Sequence, residues 1–212
     1  MEVTAMPVPE RIRHRALADL RHEDFAGVHR CEAAFVLLLS SPLHDRILAL
    51  REACGPLGDP ELQPAPHVTV LFLGDRTPAQ VWRAAAAVEP VHAGPMEVTL
   101  GSFGFFGAGS LVTNLHCSVE PAAELVALHH GCLHALGAIG EASDSRYVRE
   151  RYAPHVSVFD GISTGRTDVE RLLPRPSIPV RGATTDMAVM WKTLETSQQS
   201  RAAPVHARHD GH

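Results

Sequence analysis

Six residues recur almost unchanged within this chain: Ala-Pro-His-Val-Thr-Val at 65–70 and Ala-Pro-His-Val-Ser-Val at 153–158, which differ only in Thr69 against Ser157. In an extended strand side chains alternate between faces, so His67 and Thr69 point one way, about 7 Å apart, while Val68, Val70 and Phe72 point the other. The same alternation pairs His155 with Ser157. If both strands line one cleft, two imidazoles and two hydroxyls converge on a volume that suits a phosphodiester. The hydroxyls of Thr69 and Ser157 can donate to non-bridging oxygens as phosphorus becomes five-coordinate. One neutral histidine can take a proton from the attacking water while the other, protonated, gives one to the leaving oxygen. Ordinary histidine pKa values near 6.5 allow both roles around neutrality without a metal.

The elements that must position these residues also come twice. An apolar run, FVLLLS from Phe35, leads into Pro42 and the helical pattern PLHDRILALREAC; SLVTNLHCSV from Ser110 leads into Pro121 and PAAELVALHHGCLHALG. Proline is favoured at the first helical position. Leu43, Ile47 and Leu50, against Leu125, Leu128 and Leu133, give each helix an apolar stripe. Each half continues with a loop, its APHV strand, a glycine (Gly74 or Gly161) and a second helix. The glycine-rich LGSFGFFGAGS from Leu100 reads as a hairpin or crossover between the halves, and further strands are expected at MEVTLGSF, IPV and DMAVMW. Several strands follow one another without an intervening helix, so an α+β fold is expected rather than a doubly wound sheet. It would consist of two pseudo-symmetric lobes, each an antiparallel sheet with helices outside, around a central cleft.

The paired motifs resemble those of the 2H phosphoesterase superfamily, whose members carry two H-x-[ST]-x motifs and include the bacterial RNA 2′,3′-cyclic phosphodiesterases once called 2′-5′ RNA ligases. HVTVLFLG from His67 is similar to the first motif and its glycine, and HVSV from His155 to the second. The resemblance implies a bilobal fold, catalytic roles for His67, Thr69, His155 and Ser157, and metal-independent cleavage or formation of phosphodiesters at ribose 2′ positions. RNA-acting members often carry a basic residue shortly after the second motif; here Phe159 and Asp160 follow. The expected enzyme is a cyclic phosphodiesterase acting on RNA ends or nucleotides. The alternative is a non-catalytic module that binds a nucleotide or phosphometabolite in the same cleft.

Composition narrows the partners. A net charge of −5 gives no general attraction to polyphosphate, so a protein coating long nucleic acid is disfavoured, whereas a small nucleotide or an RNA terminus remains a suitable substrate. No apolar run approaches the roughly 20 residues of a membrane span. The first residues carry Glu10, Asp19, Glu23 and Asp24 without an apolar stretch, so a cytoplasmic location is expected, and the protein is expected to be a monomer. Cys31, Cys54, Cys117 and Cys132 form no CxxC pair and read as buried reduced thiols. No cofactor is expected. Residues 1–32 read as a partly helical extension, 33–193 as the bilobal domain with lobes of about 33–105 and 106–193 that can exchange strands, and 194–212 as a disordered tail.

In a chain with 14 histidines, chance supplies about one or two H-x-[ST] matches. His116-Cys117-Ser118 is such a match: it lacks the Ala-Pro and falls on the strand equivalent to FVLLLS. His130 and His134, four apart on a helix, lack the carboxylate of a metalloprotease pattern and read as a surface pair. His206, His209 and His212 in the tail suggest no more than weak metal binding. For the substrate itself, Tyr152 is a candidate for stacking on a base or ribose. Arg151, and beside it Arg149, are candidates for attracting phosphate.

Overall fold

The apolar run around Phe35 forms a central strand, its edges paired with two neighbours and its two faces buried in separate apolar clusters. In the computed structural model, which describes residues 12–91, 94–144, 152–174 and 179–194, this is β2 (Cys31–Leu39), which pairs antiparallel with both β3 (His67–Arg76) and β7 (Val180–Thr193). Its odd positions Ala33, Phe35, Leu37 and Leu39 face the main core. Ala34 and Val36 face a smaller cluster with Ala188 and Met190.

The glycine-rich middle is a hairpin. β4 (Glu97–Ala108) and β5 (Leu111–Glu120) are joined by a two-residue turn at Gly109 and Ser110, and β5 pairs in turn with β6 (His155–Gly165). The strand order is β1-β7-β2-β3-β6-β5-β4, with β4 also pairing with the first residues of β7. The sheet therefore closes into a ring. β4, from the first half of the sequence, lies with β5 and β6, while the end of β7, from the second half, lies beside β2. Pro179 precedes β7; the expected IPV strand begins at Ile178, outside the described residues.

An unanticipated strand, β1 (Arg13–Ala16), pairs with β7 over Ala188 to Trp191, followed by two short 3-10 turns. Its sequence RHRA carries no apolar alternation, so only backbone hydrogen bonding identifies it. The described residues also contain α1 (Leu43–Ala53), α2 (Pro78–Val88), α3 (Ala122–Ala138) and α4 (Arg166–Leu172). α2 opens on a capping box, in which Thr77 and Gln80 satisfy each other's backbone N–H groups. Pro42 and Pro121 stand one residue before the first helical position, each after a cis peptide bond.

The stripe Leu43, Ile47 and Leu50 of α1 is buried as the period requires, and each such side chain contributes about 1.5–3 kcal/mol. In α3 the buried line is instead Leu125, His129, Cys132 and Leu136, with Leu128 and Leu133 at its margins. The histidine belongs to that line because its polar edge finds a backbone carbonyl. The helices cross between halves: α1 packs against β6 and β7, and α3 against β3 and α2. All four cysteines are buried and unpaired. Among the described residues no helix is long and apolar enough to cross a membrane.

Candidate active site

The two motif strands are neighbours in the sheet rather than walls facing across a gap. β3 and β6 meet at one antiparallel bridge, Val68 opposite Val156. Residues directly opposite in such a pair share a face, so the two buried valines point into the core together. His67, Thr69, His155 and Ser157 consequently point together to the other side, where all four are half-buried. The pseudo-twofold relation of the halves passes through this bridge.

Both imidazoles are held by the same local device. His67 donates from Nδ1 to the carbonyl of Ala65, and His155 from Nδ1 to that of Ala153, each at 2.8 Å. A carbonyl only accepts, so these bonds assign the proton of each neutral ring to Nδ1 and leave Nε2 as a free acceptor. Burial pushes the His67 pKa down to about 4, opposed by the Ala65 hydrogen bond, with His155 lowering it further. His155 is also lowered by burial, while its Ala153 bond and Asp160 pull the other way. His155 is thus within electrostatic reach of His67.

Beside its histidine, each motif strand carries an extra residue at the same place. In β3 the partner of Phe35 is Leu71 and that of Val36 is Thr69, so Val70 is the bulged residue; in β6 Leu115 pairs with Phe159 and His116 with Ser157, so Val158 is bulged. A bulge leaves its residue without a ladder partner. The freed carbonyls are taken by side chains from the opposite half. His129 of α3 donates from Nδ1 to Val70 at 2.8 Å, and the Tyr152 hydroxyl to Thr69 at 3.0 Å. In the other half Arg51 of α1, buried, donates to Val158 at 2.9 Å, to Ser157 at 3.3 Å and to Pro64 at 2.8 Å. Among the described residues no carboxylate pairs with this guanidinium, and burial pushes its pKa down to about 10. Both strands then turn on a glycine with positive φ, Gly74 at 74° and Gly161 at 72°, a conformation that a Cβ would strain.

The bulge corrects one expectation. Simple alternation sends Phe72 to the core with Val68 and Val70, but the extra residue reverses the parity. Phe72 packs instead with Ala34, Val36, Leu38, Ala188 and Met190, on the face of His67 and Thr69. The first half thus offers an apolar wall. The equivalent wall of the second half is polar, because β5 presents Asn114, His116 and Ser118 where β2 presents Ala34, Val36 and Leu38.

His116, read from sequence as a chance match, belongs to this site. Its ring centroid lies 5.0 Å from that of His155 and 4.3 Å from Phe106, which also meets His155 edge-on at 4.9 Å. Its Nδ1 bonds Asn114 at 3.0 Å, and burial, with His155 beside it, pushes its pKa down to about 4. The strict alternation Asn114, His116, Ser118 between the buried Leu115, Cys117 and Val119 was the available sequence signal. Arg51 and His129 left none, since their roles depend on where two bulges expose carbonyls. The Tyr152 hydroxyl donates to the Thr69 carbonyl and its ring stacks on His129 with centroids 4.1 Å apart, contacts that hold the strand. Arg151 and Arg149 lie outside the described residues, as do the tail histidines. His130 and His134 are both exposed on α3. Phe159 is fully buried, whereas Asp160 is exposed at the cleft edge, where it accepts from Asn114 at 3.4 Å.

Four buried or half-buried imidazoles, His67, His116, His129 and His155, all have pKa values lowered first by desolvation. The folded chain thus binds these protons more weakly than the unfolded chain, whose histidines titrate near 6.5. Stability is fully present above about 6.5 and declines as pH falls toward about 4. Thermal midpoints measured between pH 7.5 and pH 4.5 are expected to fall steadily; a level profile would contradict this account.

No curated relative matches the sequence. Among solved structures, apo E. coli LigT is 15% identical with a TM-score of 0.55, the match covering 79% of this chain and 96% of that one. A structure described as a phosphoesterase is also 15% identical, with a TM-score of 0.55 and coverage of 78% and 95%. TT0787 of Thermus thermophilus is 16% identical, with a TM-score of 0.52 and coverage of 77% and 95%. At these identities the likeness is one of fold. The family model of the 2′-5′ RNA ligase superfamily matches residues 39–195, a span that takes in both motifs, both helices that brace them and the closing strand, and the chain belongs to that superfamily.

Proposed function

We propose that this protein is a metal-independent phosphodiesterase that hydrolyses 2′,3′-cyclic phosphates or related 2′-linked phosphodiesters of RNA ends or nucleotides. The observation that carries the reading is the matched pair of imidazoles: each is oriented through Nδ1, each has Nε2 available, and each stands beside a hydroxyl on one face of two adjoining strands. Water attacks phosphorus and gives its proton to the Nε2 of one histidine. The other, protonated, gives its proton to the departing ribose oxygen, so the product is a phosphomonoester and a free hydroxyl. Thr69 and Ser157 donate to the non-bridging oxygens.

The two histidines differ in environment. Burial holds His67 near 4 and also lowers His155, whose ring stands beside Phe106 and His116. An entering phosphate anion raises both values, because nearby negative charge favours imidazolium. That E. coli LigT, 16% identical, has been crystallised with 3′-AMP and with ATP supports a nucleotide-sized ligand. Four buried thiols without disulfides fit a reducing compartment such as cytoplasm.

The test is a substrate screen in EDTA: 2′,3′-cyclic AMP, RNA ending in a cyclic phosphate, a 2′-5′ oligoadenylate and ADP-ribose cyclic phosphate, followed by phosphorus NMR. A new phosphomonoester resonance from at least one is expected, undiminished by the chelator. Measurable affinity with every substrate unchanged would replace the enzyme with a binding module.

A further inference from the structure

Asn114 sits between three polar neighbours that fix which way round its amide lies. Its Nδ2 approaches the Asp160 carboxylate at 3.4 Å and Ser157 Oγ at 2.8 Å, and its Oδ1 meets His116 Nδ1 at 3.0 Å. An ionised carboxylate only accepts, so the amide nitrogen faces Asp160 and Ser157 and the amide oxygen faces the His116 N–H. Ser157 Oγ thus accepts from Asn114, and its own hydroxyl proton must point elsewhere. The open direction is the face it shares with His155 and His67.

His116 is itself seated by its surroundings. It pairs with Gly104 across β4 and β5, and a Cβ at that glycine would come within 2.3 Å of His116 Nε2, so only glycine leaves space for the ring. Phe106 covers one ring face. The first half of the site has no counterpart: Ala34 and Val36 stand at the equivalent positions, and among the described residues no side chain donates to the Thr69 hydroxyl.

We propose that Asn114 and His116 are positioning residues that lock the polarity of the Ser157 hydroxyl, so that it stands as a preset donor for one non-bridging phosphate oxygen while Thr69 remains a free rotor. The lock rests on the phosphodiesterase reading above. The phosphate of a ribose phosphate then docks against the polar wall of β5 and β6, and the nucleoside lies toward the half-buried Leu38 and Phe72 of the apolar wall. His116 acts through Asn114: if its N–H is removed, only the long contact to Asp160 still holds the amide nitrogen toward Ser157, and the hydroxyl is locked less firmly.

The decisive variant is Asn114→Asp, nearly isosteric but unable to donate. Turnover of 2′,3′-cyclic AMP is expected to fall about a hundredfold, mainly in kcat, against about tenfold for Asn114→Ala and for His116→Ala. In a Ser157→Ala background the Asn114→Asp change should add almost nothing, whereas in a Thr69→Ala background it should retain its full effect. Full additivity with Ser157→Ala, or unaltered kcat in Asn114→Asp, would overturn the lock. Thermal midpoints of the variants separate these outcomes from misfolding. If the wild-type protein turned over no cyclic phosphate, the functional reading would fail first. Calorimetric affinity for 3′-AMP would then decide the lock alone: non-additive weakening by Ser157→Ala and Asn114→Asp supports it, and undiminished affinity in Asn114→Asp refutes it.

Discussion

His67→Ala and His155→Ala should each lower kcat/KM for the best cyclic phosphate by at least about two orders of magnitude, the range expected when a positioned acid or base is removed. Each ring has one task in the proposed reaction, and no other side chain in the motifs can exchange a proton near neutrality. The double variant is expected to lose little more than the worse single one, because a site without one partner gains little from the other. Thr69→Ala and Ser157→Ala should cost less than their histidine neighbours. His116 provides the sharpest control: it is an imidazole 5.0 Å from His155, so residual rate in His155→Ala that disappears in His155→Ala with His116→Ala would show substitution by that ring. Full activity after loss of both His67 and His155 would end the two-histidine proposal. Release of phosphomonoester under substrate-limited conditions is the measurement.

The second large effect concerns stability. Arg51→Met keeps the length and apolar stem of the side chain but removes the donors to Val158, Ser157 and Pro64. A buried carbonyl deprived of its partner costs about 1–3 kcal/mol. Removing a buried cation also returns its desolvation penalty, which offsets part of that loss. The net destabilisation is expected to be about 3 kcal/mol, or roughly 6–12 °C in the thermal midpoint for a domain of this size. Arg51→Lys should fall between, since an ammonium cannot span three carbonyls with the geometry of a guanidinium. Thermal unfolding at pH 7 checks both. An unchanged midpoint for Arg51→Met would mean that the desolvation cost of the cation cancels its three hydrogen bonds.

The repeated APHV segments were legible because chemistry and packing occupy alternate positions of the same strand. His67 and Thr69 could be read against Val68, and His155 and Ser157 against Val156, without knowing the fold. What alternation could not supply was the extra residue at Val70 and at Val158, since nothing in a valine marks a bulge. Phe72 was consequently assigned to the wrong face, and the side chains that answer the bulges, Arg51 and His129, had no visible reason to be buried. β1 escaped for a different reason: RHRA is held by backbone groups, to which the side-chain pattern is indifferent. The polar alternation of Asn114, His116 and Ser118 was readable, but the chance match at His116 obscured it.

The closure of the sheet has a consequence for movement. Because β7 is stitched to β4 at one end and to β2 at the other, swinging one half away from its twin would require one of these ladders to break. Removing either half would leave the survivor with an exposed strand edge and one of the two paired motifs.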